Sequence, residues 1–166
     1  METAKYWINH LNLEKHPEGG WYKEIYRSSD IISKQALPPY FNGDRNCSTS
    51  IYYLLESEDF SSFHRIKSDE IWHYYSGTSP IEIISIVEGK LLKQLLGNKL
   101  NEDQQLQIVI PKNTWFAAHL IDKNGFALAG CTVSPGFHFD DFEMTGKKFI
   151  HDFLQFESEI KNLVRL

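Results

Sequence analysis

From Ser62 the chain runs Phe63-His64-Arg65-Ile66-Lys67-Ser68-Asp69-Glu70-Ile71-Trp72-His73-Tyr74-Tyr75-Ser76-Gly77. His64 and Glu70 thus fall in one strand-like, aromatic stretch that closes on Gly77. An imidazole and a carboxylate converging in an apolar pocket can bind a transition metal or move a proton at neutral pH. The plainer alternative is a buried histidine and glutamate that only satisfy each other. Uncompensated buried charge is costly, which favours a pair held for chemistry.

Positioning such a pair needs a rigid scaffold, and the flanking pattern supplies strands. Trp21 to Tyr26, Cys47 to Leu55, Ile71 to Tyr75, Ile81 to Val87, Lys90 to Leu96, Gln105 to Ile110, Thr114 to Ile121 and Phe126 to Val133 are rich in β-branched and aromatic residues. Turn pairs such as Glu88-Gly89, Gly97-Asn98 and Asn124-Gly125 separate them, as in an antiparallel sandwich or barrel. Thr3 to Leu13 reads as a capped amphipathic helix, broken by His16-Pro17-Glu18-Gly19-Gly20. Phe149, Ile150, Phe153, Ile160, Leu163 and Val164 recur at helical spacing, in two pieces packed on the outside. Ser28 to Asn46 lacks periodicity and is long enough for a lid or an interface arm.

Composition bounds the function. The 166 residues suit one domain, 1–166, and the net charge of −5 argues against a nucleic-acid surface. No apolar run could span a bilayer and the N-terminus lacks a signal-peptide layout, so a cytoplasmic protein is expected. Cys47 and Cys131 read as reduced, mostly buried thiols.

A proline-centred turn follows at Val109-Ile110-Pro111-Lys112-Asn113-Thr114-Trp115-Phe116. Together with His16-Pro17-Glu18-Gly19-Gly20-Trp21-Tyr22, Ser50-Ile51-Tyr52-Tyr53-Leu54-Leu55, His64-Arg65, Asp69-Glu70-Ile71-Trp72-His73 and Ser134-Pro135-Gly136-Phe137, it resembles the cupin superfamily. The resemblance is to its small branch of unknown function and spans about Leu11 to Phe156. It implies an all-β fold: a cupin double-stranded β-helix, or jelly-roll barrel, with short N-terminal and C-terminal helices. It also implies a homodimer akin in architecture to deoxysugar-nucleotide epimerases.

Metal-holding cupins typically offer three histidines and a glutamate. Against that pattern His64 and Glu70 match, while Ile66 and Phe116 stand where two histidines would. Neither apolar residue can ligate, so no required cofactor and no dedicated metal site are expected. Strand alternation turns His73 and His119 away from the interior. Asn113 stands where the motif has glycine, a swap that a left-handed turn accommodates.

The leading expectation is therefore a metal-independent isomerase or epimerase of a sugar or nucleotide-sugar, with His64 and Glu70 catalytic. Tyr52, Tyr53, Tyr74 and Tyr75 are candidate proton donors. The ligand-binding candidates are Glu24, Arg27, Ser50, Trp72, Trp115, Phe116, Phe139 and Asp141. Trp72 and Trp115 would be aromatic walls, Glu24 and Arg27 would orient a polar group, and His138 and Asp141 would sit at the rim. His10, His16 and His151 read as surface histidines. A metal-dependent cupin oxygenase or isomerase, with a divalent metal, and a non-catalytic ligand sensor are the alternatives.

Overall fold

A computed structural model describes residues 2–165, apart from the Lys147 side chain. In chain order, α1 (Ala4–Leu11) leads to β1 (Glu14–Lys15), β2 (Trp21–Arg27), β3 (Ile31–Ile32), β4 (Arg45–Asn46) and β5 (Thr49–Glu56). Next come β6 (Phe60–Arg65), β7 (Asp69–Gly77), β8 (Ile81–Val87), β9 (Lys90–Leu96), β10 (Gln104–Gln105) and β11 (Gln107–Ile110). The chain ends with β12 (Trp115–Leu120), β13 (Phe126–Ser134), β14 (Glu143–Met144), α2 (Lys147–Asp152) and α3 (Glu157–Ile160).

Two six-stranded sheets carry the structure, in the orders β1-β2-β5-β13-β7-β11 and β10-β9-β8-β12-β6-β14. Strand alternation sorts the residues. Tyr53, Leu55, Trp72, Ala129 and Cys131 of the first sheet meet Ile81, Ile83, Phe116, Ala118 and Leu120 of the second in one buried cluster. This jelly roll is sealed outside by helices, as the apolar periodicity predicts. On one face α1 brings Trp7, Ile8 and Leu11 against Leu54 and Leu128. On the other, Phe149, Ile160 and Leu163 cover Phe63, Ile84 and Ala117.

Local signals settle the turns. Thr3 caps α1 by accepting the Tyr6 backbone N–H at 3.2 Å. Asn113 takes φ of 60°, the left-handed conformation expected of it. Gly19 and Gly20 adopt φ of 113° and 74°, and a Cβ on Gly19 would lie 2.0 Å from the Phe60 carbonyl oxygen. Only glycine permits that approach, and it brings the preceding residue, Glu18, over β6. The Ser28 to Asn46 segment is less irregular than its sequence: it holds the two-stranded β3–β4 ladder and a short 3-10 turn at Lys34–Ala36.

Register shifts in β6 shape the interior. Phe116 pairs with His64 and Ala118 with Ser61, so β6 holds one more residue than β12 across this step. Regular alternation would put His64 and Ser61 on opposite faces. The bulge lets both side chains reach Glu18 inside.

Candidate functional site

Between the sheets, at the end formed by β2, β5, β13 and the 137–142 turn, lies a cavity of about 310 Å³. Its deep end is polar. Glu18 Oε1 accepts from the Ser61 hydroxyl at 2.9 Å, and Glu18 Oε2 lies 3.2 Å from His64 Nε2 and 3.6 Å from His16 Nδ1. The His64 Nδ1–H donates to the Ser62 carbonyl at 2.7 Å. That bond fixes the ring and turns Nε2 towards Glu18, so the two groups can pass a proton along one N···O line. Phe116 backs the imidazole with its ring centroid 4.3 Å away.

His16 completes the cluster. Its Nδ1 accepts the Glu18 backbone N–H at 3.3 Å, and its ring packs edge-on to Tyr22 at 4.5 Å. Burial, partly offset by the Glu18 charge, pushes its pKa below the ordinary histidine value and keeps it neutral.

Glu70 lines the same cavity beside Cys131 and above the Trp72 indole. Burial, reinforced by the nearby Glu18 charge, raises its carboxyl from 4.5 to about 8. At neutral pH Glu70 is therefore a proton-bearing acid. Burial also drives the Cys131 thiol well up, which makes it a poor nucleophile.

This raised value has a consequence for stability. The folded state keeps a proton on Glu70 that the unfolded chain releases at about 4.5. The stabilisation is thus complete below that pH, and is lost as pH rises towards about 8, at up to about 1.4 kcal/mol per pH unit. Glu70→Gln should flatten this limb, with a melting midpoint above that of the parent at pH 8 and close to it at pH 4.5. Parallel melting curves for the two proteins across that range would show that Glu70 stays ionised.

The sequence-derived candidates divide. His64 and Glu70 do share the cavity, but the carboxylate facing His64 is Glu18. Glu24, Arg27 and Phe139 line its mouth. Arg27 is held there by two hydrogen bonds to Glu24, at 2.9 and 2.7 Å, and by others to Asn46 and the Phe137 carbonyl. Phe116 and Trp72 are inward but fully buried behind the lining, edge-to-face at 6.2 Å.

Three candidates fall elsewhere. Ser50 is on the opposite face of β5 from Thr49 and Ile51, which do line the cavity. Trp115 faces out of the barrel, packed on Phe149 and covered by the Arg65 guanidinium at 4.4 Å, because Phe116 takes the inward position. Asp141 is buried in an ion pair with Arg45.

Among the tyrosines, Tyr53 faces the cavity, but its hydroxyl donates to the Gly19 carbonyl at 2.6 Å. Burial raises its pKa well above the usual value, so it is a strut and not a proton donor. Tyr74 packs against the core, and Tyr52 and Tyr75 pair with each other. His73 and His119 bond to Thr132 and Glu82 outside the cavity, as alternation requires.

Sequence reasoning missed Glu18 and misplaced His16, whose side chain is only 8% exposed. The signal was the Gly19-Gly20 pair: a double glycine after His-Pro-Glu marks a place where backbone comes very close to another strand.

The donor set does not fit a metal. His64 turns Nε2 onto Glu18 Oε2 at 3.2 Å, and His16 spends Nδ1 on a backbone N–H. Ile66 presents an apolar side chain to the cavity. Among the described residues no three His, Cys, Asp or Glu side chains converge in ligating geometry.

These features are those of a cupin barrel whose interior is lined by histidines and carboxyl groups. The chain belongs to the family described as the cupin superfamily (DUF985), which matches residues 5–145. A Saccharomyces cerevisiae protein described as uncharacterised is 30% identical over 167 residues, covering 95% of this chain and 78% of the yeast protein. A hypothetical protein from Leishmania major superposes with a TM-score of 0.89 at 28% identity, over 99% of this chain and 100% of the other. A Shewanella oneidensis protein gives 0.87 at 35% identity, over 99% of each. A Bacillus subtilis oxalate decarboxylase structure, at 15% identity and a TM-score of 0.52 over 92% of this chain and 38% of its own, shares the fold alone. No helix among the described residues is long and apolar enough to cross a membrane.

Proposed function

We propose that this protein binds a small polar metabolite, such as a sugar or nucleotide-sugar, inside the barrel and isomerises or epimerises it by metal-independent proton transfer. The carrying observation is the His64–Glu18 pair, 3.2 Å apart in a cavity that also holds Glu70 as a neutral acid. Isomerisation next to a carbonyl needs a base to take a proton and an acid to protonate the oxygen or the opposite face. The His64–Glu18 couple, oriented by the Ser62 carbonyl, shares one proton and serves as the base. Glu70 donates. A base and a neutral acid held in one cavity are a recurring acid–base arrangement.

The test is incorporation of solvent deuterium into a panel of sugars and nucleotide-sugars, followed by NMR. Exchange at a carbon next to a carbonyl, abolished by His64→Asn, supports the reading. Ligands that bind without exchange would leave a receptor in place of an enzyme.

We also propose that the protein is a homodimer. β1 covers β2 only at Trp21 and Tyr22, so among the described residues the edge from Lys23 to Arg27 has no strand beside it. Ile25 and Tyr26 on this edge are 46% and 53% exposed, and Ile31 on the following β3 is 63% exposed. An apolar open edge of this kind is normally covered. Light scattering at micromolar concentration should give twice the chain mass, and Ile25→Asp should shift it towards the monomer. A monomeric parent would remove the idea.

A further inference from the structure

If the cavity is the ligand site just proposed, its charge and size select within the proposed ligand class. Among the described residues, four carboxyl groups, from Glu14, Glu18, Glu24 and Glu70, line it, against a single guanidinium and no lysine. Four of the five N–H groups of Arg27 are already committed within the protein, and its charge is paired with Glu24. Its Nε and one terminal nitrogen are both on Glu24, and the other terminal nitrogen is shared by Asn46 and the Phe137 carbonyl. The one mouth histidine, His138, accepts the Asp140 backbone N–H at 3.1 Å and lies 3.5 Å from the Asp140 carboxylate. A phosphate or carboxylate entering here meets acids and no unpaired cation. Recognition of such anions elsewhere rests on arginine forks, lysines or helix N-termini.

Size points the same way. About 310 Å³ is at the lower limit of ligand pockets, which run to roughly 1,000 Å³. One sugar ring fits that space; a sugar, a diphosphate and a nucleoside do not fit it together. The wall chemistry suits a ring. Tyr22, Phe137 and Phe139 offer aromatic faces to C–H groups at the mouth, and Glu18, His16 and Glu70 offer hydrogen-bond partners to hydroxyls at depth.

We infer that the ligand is an uncharged monosaccharide, bound with its hydroxyls on the Glu18–His64–Glu70 end, and that phosphorylated and nucleotide-linked sugars are excluded. Glu24 acts as the selectivity residue by occupying Arg27.

Titration calorimetry and saturation-transfer NMR against matched sets test this: aldohexoses, their methyl glycosides, their 6-phosphates and their uridine diphosphate esters. The expected result is binding of at least one uncharged sugar, with its 6-phosphate weaker by about tenfold or more at low salt. In Glu24→Gln, which frees Arg27 from its carboxylate, that ratio should shrink several-fold; an unchanged ratio would show that Glu24 does not set the selectivity. Phosphate or diphosphate esters binding the parent as tightly as the free sugar would overturn the inference, as would no binding by any uncharged sugar. The proposed activity fails separately. Uncharged sugars that bind without deuterium exchange keep the inference and remove the isomerase, whereas exchange confined to nucleotide-sugars does the reverse.

Discussion

His64→Asn should lower any isomerase turnover by about a hundredfold or more, the usual scale for loss of a general base. The asparagine amide can still donate to the Ser62 carbonyl, so β6 keeps its local geometry. It cannot take a proton at the position of Nε2, 3.2 Å from Glu18. The sequence alone suggests that the melting midpoint would hardly move. The structure revises that: His64 is 2% exposed and bonded at both ring nitrogens, so a loss of about 1–3 kcal/mol accompanies the change.

A stability effect cannot by itself separate chemistry from packing, and Glu18→Gln does so. It preserves shape and the Ser61 contact, but removes the charge that helps to raise the Glu70 carboxyl. If Glu70 is the acid, the alkaline limb of the pH–rate profile, near 8 in the parent, moves down in this variant. Full turnover in His64→Asn would make His64 a structural histidine. An unmoved alkaline limb in Glu18→Gln would take Glu70 out of the mechanism.

Much of this fold could be read from local pattern because strands and turns report themselves in short windows. Ile81–Val87 and Lys90–Leu96 emerge with the expected limits because Glu88 and Gly89 take φ of 50° and 73°, the hairpin conformation that an acidic residue and glycine tolerate. The outward direction of His73 and His119 follows from alternation alone. Glu18 could not be found that way. It lies in a loop, and it reaches His64 only because Gly19 packs on Phe60 and β6 carries an extra residue. Pairing Glu70 with His64 failed for a related reason. Two inward side chains on neighbouring segments share a cavity, yet which carboxylate touches the imidazole is decided by the loop that closes the end. Trp115 and Ser50 show the opposite limit: their side-chain type suggested a ligand, and the parity of their strand positions sends them outside.

The second large effect lies away from the chemistry. Asp141→Ala should destabilise the fold by about 3–5 kcal/mol and lower the melting midpoint by on the order of 10 °C. Asp141 takes two hydrogen bonds from Arg45, at 2.5 and 2.6 Å, and Lys67 stands 3.4 Å away. The Arg45 and Asp141 side chains are 3% and 2% exposed. Removing the carboxylate strands a buried guanidinium whose remaining bond is to the Asp44 carbonyl at 2.7 Å. That penalty is the desolvation of an unpaired charge, which exceeds what the pair itself contributes. The double change Arg45→Met, Asp141→Leu should therefore recover most of the loss, because it removes both charges and keeps volume. The pair also joins β4, at the end of the 28–46 arm, to the Phe139–Asp141 turn that places Phe137, Phe139 and Phe142 at the cavity mouth. Asp141→Ala should then weaken ligand binding more than it slows the bound ligand's conversion, since the Glu18–His64 pair is anchored by Ser61 and Ser62. A double variant no more stable than Asp141→Ala would mean that the bidentate geometry, and not the cost of a lone charge, holds this corner of the barrel.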